Sequence, residues 1–170
     1  MRNLLFIGFM GAGKTTVSNA MSRITKRLVI DTDHEIEKRE GRKIKEIFET
    51  EGEAYFRKAE TELLRKLSDR KDLLISCGGG MALKEENLKL MKECGTVVLL
   101  TVKPETVLGR IKDTSTRPLL KDRKDAASVK ELMDLRAGAY TEAADIVVTT
   151  DGKTPEEICR EILEAEKAYV

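Results

Sequence analysis

Short apolar runs alternate along this chain with longer stretches of mixed polarity. Polar residues hardly interrupt the runs, as expected for strands of a parallel sheet that are buried on both faces. The predicted strands are Leu4–Ile7, Leu28–Ile30, Leu73–Ser76, Val97–Val102 and Ile146–Val148.

The stretches between the runs carry apolar residues at the spacing of an amphipathic helix. The predicted helices are Lys14–Arg23, Asp33–Glu40, Ile44–Thr50, Glu53–Ser68, Lys84–Glu93, Pro104–Lys112, Ser128–Thr141 and Pro155–Ala168. Thr154 is a favourable N-cap for the last of these, and Pro155 suits its first position. The alternation of strands and helices predicts an α/β fold, a doubly wound three-layer α/β/α sandwich around a five-stranded parallel sheet.

The stretch from Asp113 to Ser128 fits neither pattern. It is rich in charged residues, contains Thr, Ser and Pro, and has little apolar periodicity. We interpret it as a mobile loop.

The composition is that of an ordinary globular protein, and 170 residues are expected to form a single domain over 1–170. Lys and Arg together number 31 against 30 for Asp and Glu, which argues against a nucleic-acid or membrane-surface binder. No stretch reaches 18 consecutive apolar residues, so we expect no membrane span.

The cysteines Cys77, Cys94 and Cys159 are odd in number and form no C-x-x-C pair. They therefore predict neither a disulfide framework nor a zinc site. We expect them to be small buried side chains in a protein of the reducing cytoplasm.

Residues 8–15, G-F-M-G-A-G-K-T, match the pattern G-x-x-x-x-G-K-[ST] at every fixed position. An apolar run precedes them and a helical pattern follows. Glycines let backbone N–H groups converge on phosphate oxygens, and the helix N-terminus favours an anion. Lys14 is then expected to reach the β- and γ-phosphates, and the Thr15 hydroxyl to ligate Mg²⁺. A plain Gly-rich turn is the alternative, but the full match predicts a site for ATP and Mg²⁺.

Two acidic residues, Asp31 and Asp33, follow the second predicted strand. In an extended segment both carboxylates would lie on one side, facing the same crevice as the phosphate loop. One could hold the water shell of Mg²⁺ and the other could orient an attacking hydroxyl. A helix cap is the simpler interpretation of acids after a strand. The neighbouring His34 is predicted to be a surface residue.

Further candidates come later in the chain. Arg57 and Glu60 are three residues apart on a predicted helix, where an ordinary ion pair is the simpler interpretation. Gly78–Gly80 follow the third strand and would let a ligand approach the backbone closely, although a plain turn has the same composition. Arg110, Arg117 and Arg136 suit phosphate or carboxylate recognition, but scattered arginines are usually solvated.

These pieces, in this order, resemble the shikimate kinases of the nucleoside-monophosphate-kinase-like branch of P-loop kinases. The matching segments span essentially the whole chain: G-F-M-G-A-G-K-T-T, D-T-D, A-Y-F-R-K-A-E, G-G-G, R-P-L-L and R-A-G-A-Y. The first segment is widespread, whereas the combination is specific. The resemblance implies a P-loop NTPase fold and ATP-dependent phosphorylation of the 3-hydroxyl of shikimate, on the way to aromatic amino acids.

The resemblance also implies roles for individual residues. The catalytic residues would be Lys14, Asp33 and Arg117. ATP would be bound by Gly11, Ala12, Gly13, Lys14, Thr15, Thr16, Arg110, Arg117 and Pro155. Shikimate would be bound by Asp33, Arg57, Gly78, Gly79, Gly80 and Arg136. Mg²⁺ would be ligated by Thr15 and, through water, by Asp31 and Ser76. Residues 33–62 would form a substrate-binding helical region, and residues 113–124 a mobile lid carrying Arg117.

Two alternative functions predict different sequence features. A related small-molecule kinase, for example one acting on gluconate, would keep the phosphate loop but lack the D-x-D, F-R and G-G-G set. A non-catalytic regulator that binds shikimate and ATP would have lost Lys14, Asp33 or the lid arginine, or would carry a DNA-binding domain. A monomer is expected, since no apolar surface stripe is left unassigned.

Overall fold

The computed structural model describes residues 1–110 and 126–169. The described chain contains a five-stranded sheet in which every neighbouring pair is parallel, in the order β2-β3-β1-β4-β5. The strands are β1 (Asn3–Ile7), β2 (Leu28–Asp31), β3 (Leu73–Ser76), β4 (Gly95–Thr101) and β5 (Ile146–Thr149). The predicted α/β class and five-stranded parallel sheet are therefore confirmed.

Helices connect the strands and lie close to their predicted positions. They are α1 (Lys14–Thr25), α2 (Thr32–Glu40), α3 (Ile44–Thr50), α4 (Glu53–Ser68), α5 (Glu85–Cys94), α6 (Pro104–Arg110), α7 (Ala126–Ala143) and α8 (Pro155–Lys167). A short 3₁₀ helix, Met81–Leu83, was not predicted. Helix α8 begins with the predicted cap: Thr154 and Glu157 form a reciprocal capping box, with Pro155 in the first turn.

Helices cover both faces of the central strands. Every residue of β1 and β3 is buried, although successive side chains of a strand point to opposite faces. Helices α1 and α8 pack against each other on one part of the sheet, while α5 and α7 both contact β4. This arrangement is the predicted three-layer sandwich.

The edge strands depart from the sequence prediction. Leu28 of β2 is 56% exposed and Val147 of β5 is 59% exposed, so the expectation that all five strands are buried on both faces is wrong for these two. Their apolar runs look like those of the inner strands, but their places at the two ends of the strand order leave them with fewer neighbours.

The segment after β2 also differs from the prediction. Helix α2 begins at Thr32, so Asp33 is helical rather than part of an extended segment. Asp31 ends β2 and caps the helix, since its carboxylate accepts a hydrogen bond from the backbone N–H of His34. His34 itself is exposed, as predicted.

The three cysteines are free and buried, in agreement with their expected packing role. Within residues 1–110 and 126–169, no helix is both long enough and apolar enough to cross a membrane.

Candidate active site

The loop between β1 and α1 takes a backbone shape that depends on its glycines. Gly8, Gly11 and Gly13 have φ values of 148°, 78° and 94°, which residues other than glycine rarely adopt. A Cβ at Gly8 would also lie 2.5 Å from the carbonyl oxygen of Leu100. The loop runs directly into the N-terminus of α1, where unpaired backbone N–H groups and the helix dipole favour a phosphate.

Two cations are tied to the backbone of this loop. Lys14 Nζ donates hydrogen bonds to the carbonyl oxygens of Gly8 (2.8 Å) and Phe9 (3.1 Å). Arg110, the last residue of α6, donates from Nη1 to the carbonyl oxygen of Gly11 at 2.7 Å. Both positive charges therefore lie beside the loop that is predicted to bind phosphate.

Three oxygen-bearing side chains line the cleft at the start of α1 and the ends of β2 and β3. The Thr15 hydroxyl donates to Asp31 Oδ2 at 3.3 Å. Asp31 and Ser76 are paired residues of the neighbouring strands β2 and β3. Hydroxyl and carboxylate oxygens are the donors that a hard cation such as Mg²⁺ prefers, so these residues fit the predicted metal role. Asp31 thus serves as a helix cap and also faces the predicted metal position.

A single open cleft of about 880 Å³ joins this region to the second set of predicted residues. Its lining includes most of the predicted site residues: Gly11, Gly13, Lys14, Thr15, Thr16, Asp31, Asp33, Arg57, Ser76, Gly78, Gly79, Gly80 and Arg110. Three predicted residues do not line it, namely Ala12, Arg136 and Pro155. Arg117 and the predicted lid at 113–124 lie outside the described residues.

The three residues that do not line the cleft have other surroundings. Ala12 is buried in the core as a whole residue. Pro155 occupies the first turn of α8. Arg136 is buried beneath Gly79, whose added Cβ would lie 3.2 Å from Arg136 Nη1. Arg136 therefore lies against a glycine that lines the cleft.

The carboxylates of Asp33 and Glu60 both lie close to Gly78 and form an acidic pair. A Cβ at Gly78 would lie 2.6 Å from Asp33 Oδ1 and 2.9 Å from Glu60 Oε2, so only a glycine leaves room for both carboxylates. Burial, with the charge of Asp31 as a smaller cause, raises the pKa of Asp33. Burial likewise raises the pKa of Glu60 to about 7, although the nearby Arg57 guanidinium opposes that shift.

Arg57 is held from several sides. Its Nη1 donates to Glu60 Oε1 at 2.7 Å and its Nη2 donates to Glu53 Oε1 at 3.1 Å. The guanidinium carbon also lies 5.4 Å from the centre of the Phe56 ring. The ordinary helical ion pair predicted as the simpler interpretation is therefore present. A guanidinium has five N–H donors, so these contacts leave donors available for a carboxylate ligand.

Arg136 offers a second cationic position beside the glycine triplet. Its Nη1 is buried and has no hydrogen-bond partner within the described parts of the chain. Tyr140, one turn later in α7, donates from its hydroxyl to the carbonyl oxygen of Gly79. A buried and unpaired guanidinium nitrogen is costly unless a ligand supplies an acceptor.

The sequence prediction did not assign site roles to Glu60 and Tyr140. Glu60 was recognised only as the partner of Arg57, and its contact with Gly78 depends on how α4 meets the end of β3. Tyr140 lies four residues after Arg136, a spacing that places both side chains on one face of α7. That spacing is a sequence feature that could have placed Tyr140 near the site. No sequence feature indicates its hydrogen bond to Gly79.

Comparison with known proteins identifies the family. A family model described as shikimate kinase matches residues 10–167. The curated shikimate kinase of Persephonella marina is 44% identical over 163 residues, covering 96% of this chain and 98% of the relative. The shikimate kinase of Aquifex aeolicus is 45% identical, covering 94% of this chain and 93% of the relative. This chain belongs to the shikimate kinase family.

Solved structures agree with that assignment. Shikimate kinase from Acinetobacter baumannii, in complex with shikimate, superposes with a TM-score of 0.93 at 34% identity, covering 99% of this chain and 94% of that one. A gluconokinase from Sinorhizobium meliloti superposes with a TM-score of 0.55 at 17% identity, which shows a shared fold and no more. The comparisons therefore favour the shikimate kinase family over the gluconate-type alternative.

Proposed function

We propose that this chain carries out the reaction of its family, transferring the γ-phosphoryl group of ATP to the 3-hydroxyl of shikimate. The products are ADP and shikimate 3-phosphate, an intermediate on the way to chorismate and the aromatic amino acids. One observation carries the proposal: the phosphate loop and the Asp33–Arg57–glycine-triplet set line the same cleft. A cleft shared by both substrates supports direct transfer between them, because phosphoryl transfer depends chiefly on positioning and charge neutralisation.

The nucleotide half of the cleft is assigned as follows. Backbone N–H groups of Gly11, Ala12 and Gly13, with Thr15 and Thr16 at the start of α1, bind phosphate oxygens. Lys14 neutralises charge on the β- and γ-phosphates, and Arg110 lies beside the nucleotide. The hydrogen bonds of Lys14 and Arg110 to the loop backbone support these roles.

The acceptor half is assigned to Asp33, Arg57, Arg136 and the glycine triplet. Arg57 and Arg136 bind the shikimate carboxylate, an assignment supported by the spare donors of Arg57 and the unpaired Nη1 of Arg136. Gly78, Gly79 and Gly80 form the backbone wall against which the substrate packs. Asp33 accepts a hydrogen bond from the 3-hydroxyl and orients its oxygen towards the γ-phosphorus. Its raised pKa also makes it a better proton acceptor than an ordinary aspartate.

Magnesium is the metal that the oxygen donors of this site fit. Thr15 would ligate it directly, and Asp31 and Ser76 would hold its water ligands. When bound, the ion neutralises phosphate charge during transfer. The contact of 3.3 Å between Thr15 and Asp31 supports this assignment, and Mg²⁺ characteristically uses few protein ligands and keeps several waters.

Further assignments come from the sequence. Arg117 is assigned to the transferring phosphate, and Pro155 to the adenine side; Arg117 and the lid predicted at 113–124 lie outside the described residues. Residues 33–62 are assigned as the substrate-binding region of a single domain. A monomeric state, a cytoplasmic location and the absence of nucleic-acid or membrane partners complete the proposal. The free, buried cysteines support the cytoplasmic location.

The test is ADP release from Mg·ATP in the presence of single candidate acceptors, with the phosphorylated product identified by mass spectrometry. We expect release that depends on shikimate and gives a product one phosphate heavier, and no release with gluconate. Omitting Mg²⁺ should abolish release. ADP release that is independent of shikimate, or faster with gluconate, would refute the proposal.

A further inference from the structure

Phe9 occupies the first variable position of the phosphate loop and is only 3% exposed. Its carbonyl oxygen accepts two hydrogen bonds, from Lys14 Nζ at 3.1 Å and from the backbone N–H of Ala12 at 3.0 Å. The backbone of Phe9 is thereby part of the structure that holds the phosphate-binding lysine.

The side chain of Phe9 faces the other half of the site. The guanidinium carbon of Arg136 lies 5.6 Å from the centre of its ring, which is the geometry of a cation–π contact. Arg136 is itself 4% exposed and belongs to α7, more than a hundred residues further along the chain. The contact therefore joins the nucleotide loop to a residue on the acceptor side.

The chemistry of this contact suits a residue that must also bind a ligand. An aromatic ring attracts the face of a guanidinium and leaves the N–H donors at its edge unused. Arg136 Nη1 indeed has no hydrogen-bond partner within residues 1–110 and 126–169. A carboxylate partner in place of Phe9 would occupy those donors. The ring supports Arg136 while leaving Nη1 for a carboxylate.

We propose that Phe9 is a positioning residue that couples the two substrate sites, its backbone holding Lys14 and its ring holding Arg136. Phosphate bound at Lys14 steadies the loop at Phe9, and the ring then fixes Arg136 for the acceptor carboxylate. Phe9 does not line the cleft, so it acts through Arg136 rather than by touching either substrate. The inference rests on the proposed function, because it takes shikimate as the acceptor.

Coupling of this kind must be reciprocal. If nucleotide strengthens shikimate binding by some factor, shikimate must strengthen nucleotide binding by the same factor. A residue that merely fills the core would change stability and leave this factor unaltered. The coupling factor therefore distinguishes a positioning role from a packing role.

The experiment is isothermal titration calorimetry of shikimate binding to the whole chain, with and without saturating Mg·ADP, so that no turnover occurs. For the unsubstituted chain we expect Mg·ADP to tighten shikimate binding by about fivefold or more. Phe9→Leu should weaken shikimate binding to the Mg·ADP complex by about 2- to 30-fold, the range of a cation–π contact, and bring the coupling factor close to one. Mg·ADP binding by itself should hardly change.

Phe6→Leu is the matched control, because it removes a fully buried phenyl ring from the adjoining strand β1. It should lower the unfolding temperature and keep the coupling factor. Phe9→Tyr keeps the aromatic face and should retain most of the coupling, whereas Phe9→Met should not. If Phe9→Leu does not fold, the comparison of Phe9→Tyr with Phe9→Met provides the test.

Coupling that is unchanged in Phe9→Leu or Phe9→Met would overturn the inference. A chain that phosphorylates shikimate but binds it equally well with and without Mg·ADP would also overturn it, and would leave the proposed function standing. Failure to bind or phosphorylate shikimate at all would instead refute the proposed function and this inference with it.

Discussion

The guanidinium group of Arg57 lies directly against Gly80, so close that a Cβ on this glycine would fall within 3.0 Å of three guanidinium atoms. A Cβ on Gly78 would likewise fall within 3.0 Å of Asp33 and Glu60, and a Cβ on Gly79 would lie 3.2 Å from Arg136 Nη1. Each glycine of the triplet thus makes room for a different charged group. The sequence prediction explained the triplet by close approach of a ligand. In the structure, charged side chains of the site itself already lie close to the triplet.

Gly80→Ala is expected to displace the Arg57 guanidinium, because a flexible side chain moves more readily than backbone. Losing one charge-assisted contact to the substrate corresponds to about 1.5–3 kcal/mol, or roughly a 10- to 150-fold increase in the KM for shikimate. The KM for ATP should change little. Steady-state kinetics with each substrate varied in turn checks this prediction.

The matched control is Gly138→Ala in α7, where an added Cβ meets no described atom within 4 Å. It should leave both KM values unchanged and stabilise the helix by up to about 1 kcal/mol. An unchanged KM for shikimate in Gly80→Ala would show that Arg57 is not a substrate contact, or that it readjusts without loss.

Arg57→Ala should raise the KM for shikimate with a smaller effect on kcat, since a carboxylate contact made equally in ground and transition states contributes uniform binding. It should also destabilise the fold, because Glu60 is completely buried and would lose its cation. The double variant Arg57→Ala/Glu60→Gln should recover stability without recovering KM. Thermal unfolding and kinetics on the same preparations separate the two effects. A large fall in kcat at constant KM would contradict the assignment.

Stability should fall as pH rises through the titration of Glu60. Its pKa is about 7 in the folded chain against an ordinary value of 4.5, so the folded state binds the proton more tightly than the unfolded state. The free energy of unfolding therefore decreases between about pH 4.5 and 7, by an amount on the order of 3 kcal/mol from this group. Chemical denaturation at a series of pH values measures the slope.

Glu60→Gln removes this titration and should flatten the profile, so that the variant gains stability relative to the unsubstituted chain as pH increases. Glu62→Gln is the control, because Glu62 is exposed on the same helix α4. The interpretation of Glu60 as a buried carboxyl with a raised pKa fails if the profiles of Glu60→Gln and the unsubstituted chain run parallel.

Asp33→Asn should reduce kcat by about 10² to 10⁴-fold while ATP still binds, since an amide orients a hydroxyl poorly and accepts no proton. The substitution removes a charge from a buried acidic pair, so the variant should be at least as stable as the unsubstituted chain. Calorimetry of Mg·ATP binding and unfolding temperature provide those two checks. Turnover near the normal rate would rule out the proposed role of Asp33.

Substitution of Arg27 is expected to affect stability and not catalysis. It is buried near the start of β2, where its Nε lies 3.1 Å from Asp72 Oδ1 and its Nη2 donates to the carbonyl oxygens of Leu73 and Arg2. Arg27→Met should lower the free energy of unfolding by about 2–4 kcal/mol, because the buried carbonyl group of Leu73 loses its donor and Asp72 loses its cation. The KM values should not change. Arg23→Met breaks an exposed pair with Glu156 and should have an effect of about 1 kcal/mol or less.

Local patterns in the sequence were sufficient for the elements of this fold and for the glycine-rich loop between β1 and α1. The bounds of α3, α4 and β3 are those predicted, because amphipathic periodicity and apolar runs report local conformation directly. The place and backbone shape of this loop were equally predictable, since its residues are contiguous and their own glycines determine its conformation.

Tertiary structure alone decided which residues surround each glycine of the triplet, and which strands lie at the edges. The contacts of Gly78 with Asp33 and Glu60, of Gly79 with Arg136, and of Phe9 with Arg136 all join segments far apart in the chain. The exposure of Leu28 and Val147 likewise depends on strand order rather than on the apolar runs that contain them. Such relationships arise from packing between elements, whereas the periodicity of a sequence records only the environment of each element along its own axis.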